Sequence, residues 1–487
     1  MIKSSAKKMT RRHLMFGASA LALSSCVSGT SPTSIEATLG TSPASHSNIA
    51  QKKRPNIIFI MADDLGYADV SCYGRREYKT PAIDSLAHTG VKFTQAYSNS
   101  PVCSATRTSV ITGRYQYRLP VGLEEPLTFR DVGLPTTHPT LPGQLKKSGY
   151  QTALVGKWHL GALPKYGPLK SGYDHFWGVR GGSVDYFTHD SMAKQNDLWD
   201  GEVEIHETEY LTKLIGGKSI ELIEKMNENE EPFFMSLHYT APHWPWEGPE
   251  DKTESDRLKQ GGPFSLLHLD GGSLETYAAM VTSMDNQIGR LLNKLDELGI
   301  TEETLIVFTS DNGGERFSDT WPFSGIKTEL LEGGLRVPLI IRWPGITKAN
   351  TTSDQVSMSM DLMPTLLKAG QAAPHPDFPL DGIDLTEALV SERTSTRQIY
   401  FRYSNLDQQA TRDGDWKYLK IADNTYLFNV ANDPKERANL KISHPEIYQR
   451  LVQQYEDWNS TMLPLDPQAN THGYNGLMLA DHFNPDN

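Results

Sequence analysis

The chain has 487 residues, 38% of them hydrophobic and 22% charged, proportions that exclude a disordered or fibrous protein and leave room for one large core with a smaller appendage. Its formal charge of -12, from 47 basic and 59 acidic residues, argues against a nucleic-acid partner; an anionic ligand would need a local basic pocket. With Cys26, Cys72 and Cys103 as the complete set of cysteines, no disulfide framework is available.

The N-terminus reads as an address. Arg11 and Arg12 precede an apolar run over 14–23 that is too short to cross a bilayer, and Ser24, Ser25 and Cys26 follow it. Paired arginines before such a run suggest the twin-arginine export machinery as a partner. The segment 23–26 resembles a lipoprotein processing box that would leave Cys26 lipidated. Residues 1–26 are therefore expected to be a signal peptide of an exported protein in the periplasm or at the cell surface, touching the membrane only through its lipid anchor. Residues 27–52, rich in Ser, Thr, Ala and Pro and without apolar period, are expected to be a flexible tether.

Short apolar runs over 56–61, 152–155, 233–237, 305–309 and 338–341 predict buried parallel strands. Between them lie helical stretches, the clearest over 275–298, where Met280, Met284, Ile288, Leu291, Leu292 and Leu295 recur at helical spacing before Gly299. Strands alternating with helices predict an α/β fold, a central mainly parallel sheet sandwiched by helices, here over 53–372. A Pro-rich passage (Pro374, Pro376, Pro379) then gives way to alternating segments over 416–421 and 425–430 and an amphipathic stretch over 445–458. These predict a C-terminal subdomain, 373–487, of antiparallel sheet plus helix; the stretch after Leu463 has no period and is expected to wrap the surface.

Open α/β sheets carry their sites beyond the carboxyl ends of the strands, and four of these ends are strongly polar. They run into Asp63 and Asp64, into Lys157 and His159, into His238 and His243, and into Asp311 and Asn312. Asp63, Asp64, Asp311 and Asn312 offer oxygen alone, which suits one hard divalent cation such as calcium or magnesium. The segment SPVCSATRTSVITGR over 100–114 is expected to open a helix just after Cys103, where free N–H groups favour an anion.

That segment resembles the signature of the type I sulfatases, C-x-[P/A]-x-R followed by T-G, matched at Cys103, Ala105, Arg107, Thr112 and Gly113, with alanine where most members carry proline. Further blocks in family order include RPNIIFIMADDLGYADVSCYG, GKWHLG, APHWP, TSDNGG and GIKTELLEGGLRVP. The resemblance implies an alkaline phosphatase-like fold, a sulfuric ester hydrolase, and Cys103 converted to formylglycine by a maturation enzyme. It also implies one Ca2+, with Mg2+ possible, held by Asp63, Asp64, Asp311, Asn312 and residue 103. Arg107 and Lys157 would hold the nucleophile and neighbouring charge. His159 would be the base for the diol, and Lys327 and His243 would bind sulfate oxygens and protonate the departing alcohol.

For the substrate, taken to be a sulfated poly- or oligosaccharide, the candidates are loop residues near the rim: Tyr173, Asp174, His175, Trp177, Asp185, Tyr186, Trp244, Trp246 and Arg316. His175 and Arg316 lead among them. Two other readings remain open at this point, a phosphonate or phosphate ester hydrolase of the same superfamily and a non-catalytic glycan-binding lipoprotein.

Overall fold

The structure, a computed structural model, describes residues 54–123, 131–262, 264–391 and 394–465. The expected signal peptide, the tether, Cys26 and most of the stretch after Leu463 lie outside these residues. Among the described residues no helix is long and apolar enough to cross a membrane.

Among the described residues sixteen strands form three sheets. In chain order they are β1 (Asn56–Ala62), β2 (Val91–Phe93), β3 (Ala96–Tyr97), β4 (Gln151–Gly156), β5 (His175–Val179), β6 (Leu198–Asp200), β7 (Val203–Glu204), β8 (Phe233–His238), β9 (Thr304–Ser310), β10 (Leu339–Arg342), β11 (Thr351–Ser353), β12 (Ser357–Met358), β13 (Gln398–Tyr403), β14 (Gln408–Asp413), β15 (Trp416–Ile421) and β16 (Asn424–Asn429). The main sheet has the order β11-β2-β10-β9-β1-β8-β4-β5-β6-β7. Its central five strands, β9-β1-β8-β4-β5, are mutually parallel.

The run over 338–341 departs from expectation. It forms β10, which lies antiparallel to both β9 and β2, because a buried apolar run specifies burial without specifying direction.

Both faces of the central strands are apolar, so the sheet must be covered twice. In β1, Ile58, Ile60 and Ala62 enter one core while Ile57, Phe59 and Met61 enter the other, the period-2 alternation of a strand. The helix Leu274–Glu297 covers the first face. It starts at Ser273, whose hydroxyl accepts from Thr276 N, and stops before Gly299 at φ +69°. It buries Met280, Met284, Ile288, Leu291 and Leu295 together with Tyr277 and Val281, whereas Leu292 is only half-buried at the edge of that face.

β13 to β16 form a four-stranded antiparallel sheet. The helix Pro445–Asn459 packs Leu451 and Tyr455 against its Tyr418 and Leu427. The other face shares a third core with Val102, Ala105, Leu330 and Leu335, residues beside Cys103 and Lys327. Leu385, Ala388 and Leu389, beyond the expected boundary at 372, pack instead into the core under the main sheet, tied there by Leu385 N donating to Thr365 Oγ1.

Candidate active site

β9, β1, β8 and β4 lie side by side and run the same way, so Asp311, Asp63, His243 and Lys157 emerge along one edge. Lys327 joins them from the segment that leads into β10, since an antiparallel strand meets this edge at its start. Strand β4 ends at Gly156, φ +109°, where a Cβ would lie 1.8 Å from His238 O; only glycine permits that approach.

Every one of these side chains is buried. Lys157 Nζ donates to Asp63 Oδ2 at 2.5 Å, and Lys327 Nζ to Asp64 Oδ2 at 2.7 Å. Arg107 grips Asp311 Oδ2 through Nε (3.0 Å) and Nη2 (2.8 Å). Asn312 Nδ2 donates to Asp64 Oδ1 at 2.7 Å, and His243 Nε2 stands 3.5 Å from Asp64 Oδ2. Asp64 and His159 both hold left-handed backbone, φ 60° and 55°, a strain that persists where surroundings over-determine it.

Cys103 is the first residue of the fully buried helix Cys103–Thr112, and its Sγ lies 3.3 Å from His159 Nδ1. Burial pushes the thiol up to about 12, with Lys157 and Lys327 pulling it down only in part. An unmodified Cys103 is thus a protonated thiol at neutral pH and a poor nucleophile. Burial, with Lys157 and Arg107 adding to it, holds His159 well below the usual histidine value, so its ring is neutral and able to take a proton. Cys72 and Cys103 are both free thiols.

Ligand atoms of Asp63, Asp64 and His243 lie within 4.8 Å of one another, as do those of Asp63, Cys103 and Asp311. Asp63 Oδ1 and Asn312 Oδ1 are buried without a hydrogen-bond partner. Burial and the adjacent Asp311 push the Asp63 carboxyl well up, against Lys157 and Arg107. A hard divalent cation fits this set: it would supply what two orphaned oxygens and crowded carboxylates lack.

The chain matches the Sulfatase family over residues 55–372, about two thirds of its length. The chain belongs to the sulfatase family. Residues 326–460 also match the C-terminal family of N-sulphoglucosamine sulphohydrolase. This sulfatase is 29% identical over 86% of its length to mouse arylsulfatase J, covering 79% of that protein. It is 31% identical over 82% of its length to human arylsulfatase A, covering 81% of it. Among solved structures it is similar to Ps i-CgsB, with a TM-score of 0.77, 29% identity, and coverage of 86% of this chain and 95% of that one. The same protein is also known in complex with k-i-k-neocarrahexaose. The enzyme is a sulfuric ester hydrolase, which removes the non-catalytic reading.

Not every expected sulfatase site residue reaches the rim. His175 begins β5 opposite Ala153, at the far end of the strand from the site, among Lys225, Asp174, Asp200 and Lys218. It does not line the site. Arg316 lies over the Trp246 ring at 4.1 Å and donates to the carbonyls of His268 (2.9 Å) and Leu269 (3.2 Å), so it braces the 268–271 loop. Of the other loop candidates, Tyr173 bonds Ser236, Asp174 bonds Thr152, Trp177 is buried in the core, and Asp185 receives Phe187 N and Thr188 N. Tyr186 OH donates toward the carbonyls of Thr240 and His243 and so fixes the turn that carries His243.

One support, Ser310, goes unseen in the sequence; another, His238, reads there only as a polar strand end. Ser310, the last residue of β9, accepts from Leu65 N and donates to Asn312 O, joining the two acidic segments. His238, held at about 3 by burial and Arg107, is a neutral prop with Nδ1 3.2 Å from Lys157 O. The serine's place at the end of a strand bearing acids was the available signal.

Proposed function

We propose that this sulfatase removes sulfate esters from a sulfated carbohydrate outside the cytoplasm, with residue 103 acting as a formylglycine made from Cys103 and one Ca2+ beside it, Mg2+ being the alternative. The observation that carries this reading is a buried Cys103 at a helix N-terminus, its Sγ 3.3 Å from His159 Nδ1 and grouped with Asp63 and Asp311, where Asp63 Oδ1 and the Asn312 amide oxygen make no hydrogen bond. The cation, held by Asp63, Asp64, Asp311 and Asn312, would supply the positive charge that draws electrons from the sulfate and sharpens the nucleophile.

As a hydrated aldehyde, residue 103 offers two hydroxyls on one carbon. One hydroxyl loses its proton as its oxygen attacks sulfur, the bond from sulfur to the sugar oxygen breaks, and His243 with Lys327 delivers a proton to the departing alcohol, so that one proton leaves the diol and one reaches the sugar. His159 then takes the proton of the second hydroxyl, the carbon–oxygen bond to sulfate breaks, and the aldehyde returns. Arg107 and Lys157 keep the surrounding charge balanced throughout. The carbohydrate follows from the oligosaccharide bound by Ps i-CgsB. Export through the twin-arginine machinery and anchoring at Cys26 rest on the N-terminal pattern, and would let a maturation enzyme act on Cys103 before the folded chain leaves the cytoplasm.

The test is the mass of the peptide over 99–107 from protein made in its native export host, paired with sulfate release from sulfated glycans and turnover of aryl phosphate diesters. An aldehyde mass and sulfate release are expected, together with a loss of at least ~10^3-fold in Cys103→Ala at unchanged Tm. Sulfate release from protein with an intact thiol would sink the formylglycine. Faster turnover of phosphate diesters would favour the superfamily's phosphonate and phosphate hydrolases.

A further inference from the structure

The fifth parallel strand, β5, also delivers a cation to the rim. Immediately after Val179 come Arg180, Gly181 and Gly182. Arg180 O accepts from His159 N at 3.1 Å, and a Cβ on Gly182 would lie 2.7 Å from His159 Cε1, so this backbone lies directly against the proposed base.

The Arg180 side chain lines a cleft of about 730 Å3, large enough for more than one sugar ring, whose wall also carries the acids Asp190, Glu204, Glu207 and Asp256. It is held from behind. Nε donates at 2.8 Å to Oδ1 of Asp197, a buried carboxylate that also receives Gly181 N and Trp199 Nε1, and the guanidinium lies 4.7 Å over the Trp199 ring. Among the described residues Nη1 and Nη2 have no hydrogen-bond partner. The other cations of the cleft, Lys252 and Lys259, are met by Asp256 and Asp190, acids of the same cleft. Arg180 differs in that its counter-ion sits behind it and not in the cleft, leaving its outer fork aimed at whatever enters.

We propose that Arg180 binds a second anionic group, a sulfate or carboxylate, on a sugar next to the one whose ester is cleaved, so that the cleft selects multiply charged oligosaccharides. The fork matches the two oxygens of either group. This rests on the sulfated-carbohydrate reading above and deepens it.

The test compares wild type, Arg180→Ala and Arg180→Lys on three substrates: an aryl sulfate, a singly sulfated oligosaccharide, and the same oligosaccharide carrying a second sulfate or a carboxylate on the neighbouring sugar. Arg180→Ala is expected to raise KM for the doubly charged substrates at least tenfold, leaving kcat there and both constants for the aryl sulfate unchanged. The lysine variant, which keeps a partner for Asp197 but lacks the fork, is expected to fall between and serves if the alanine variant does not fold. Equal loss on all three substrates would overturn the proposal in favour of support to His159, and no loss on any would overturn it outright. Aryl sulfate turnover without oligosaccharide turnover by wild type would instead refute the carbohydrate reading itself.

Discussion

At the rim of the main sheet, three cations (Arg107, Lys157, Lys327) face three buried carboxylates (Asp63, Asp64, Asp311). Where the C-terminal sheet joins the main body, Arg336, Arg412 and Lys417 gather about Glu332 and Glu436, also buried. There Lys417 Nζ lies 3.0 Å from Glu332 and 2.8 Å from Glu436, and Glu332 Oε2 takes both Tyr97 OH and Arg336 Nε. Arg412 also reaches Tyr97 OH. Similar charges are used to different ends. At the joint both oxygens of Glu332 are occupied and Glu436 Oε1 is met by Lys417 Nζ at 2.8 Å; at the rim Asn312 Oδ1 has no hydrogen-bond partner and Asp63 Oδ1 has only Arg107 Nη2 at 3.8 Å. A closed charge cluster fastens two parts of a fold, whereas an incomplete one is prepared to receive a ligand.

The largest effect that separates the two clusters is expected from a chelator. Removing the proposed cation should abolish sulfate release and lower Tm, since a ligand at 1,000 times its Kd adds about 4 kcal/mol to stability. Added Ca2+ should restore both, and an unchanged Tm and activity after exhaustive chelation would break the distinction. The next effect belongs to the joint. Glu332→Gln leaves Lys417 and Arg336 short of a buried partner and should cost about 3–5 kcal/mol, read from denaturant midpoints. That loss should be the same with or without Ca2+. A loss that Ca2+ repairs would mean the two clusters are one system.

Much of the rim was legible because polar pairs follow four apolar runs, and adjacency in a parallel sheet turns four separate strand ends into one edge. Direction was not legible. The run that became β10 has the composition of its neighbours, and its reversal is what brings Lys327 in at the strand's start. His175 and Arg316 failed for a related reason: residue type marks what could bind a sugar, but register decides at which end of β5 a histidine sits, and packing decides whether an arginine meets solvent or the carbonyls of a loop. Arg180, the residue that follows the end of β5 at Val179, carried no motif to single it out. The joint was invisible for want of any local pattern, since Glu332, Lys417 and Glu436 are brought together only by tertiary packing. Gln408 shows the same: its amide donates to Thr328 O and accepts from Leu330 N, steadying the segment that follows Lys327.

The smallest expected effect sharpens the comparison through pH. Burial pushes the Glu436 carboxyl up to about 7, with Glu332 adding to this and Lys417 opposing it, while Lys417, Arg336 and Arg412 outweigh burial and hold Glu332 down. A carboxyl raised in the folded state binds more protons there than in the unfolded chain, where it titrates near 4.5. Its stabilising contribution is therefore complete below about pH 4.5 and is lost as pH rises through about 7. Glu332 has the opposite sign: its contribution is present above its unfolded value and is lost as acid drives it toward its lowered one. Glu436→Gln removes the first titration and retains the second. The stability of wild type relative to this variant should accordingly fall between pH 4.5 and 7 and level off above, by at most about 3 kcal/mol. Denaturant midpoints of both proteins across that range, taken in chelator so that the rim contributes no metal binding, provide the measurement. Parallel curves would mean that Glu436 is as fully ionised in the joint as in the unfolded chain, and that the closed cluster carries no proton of its own.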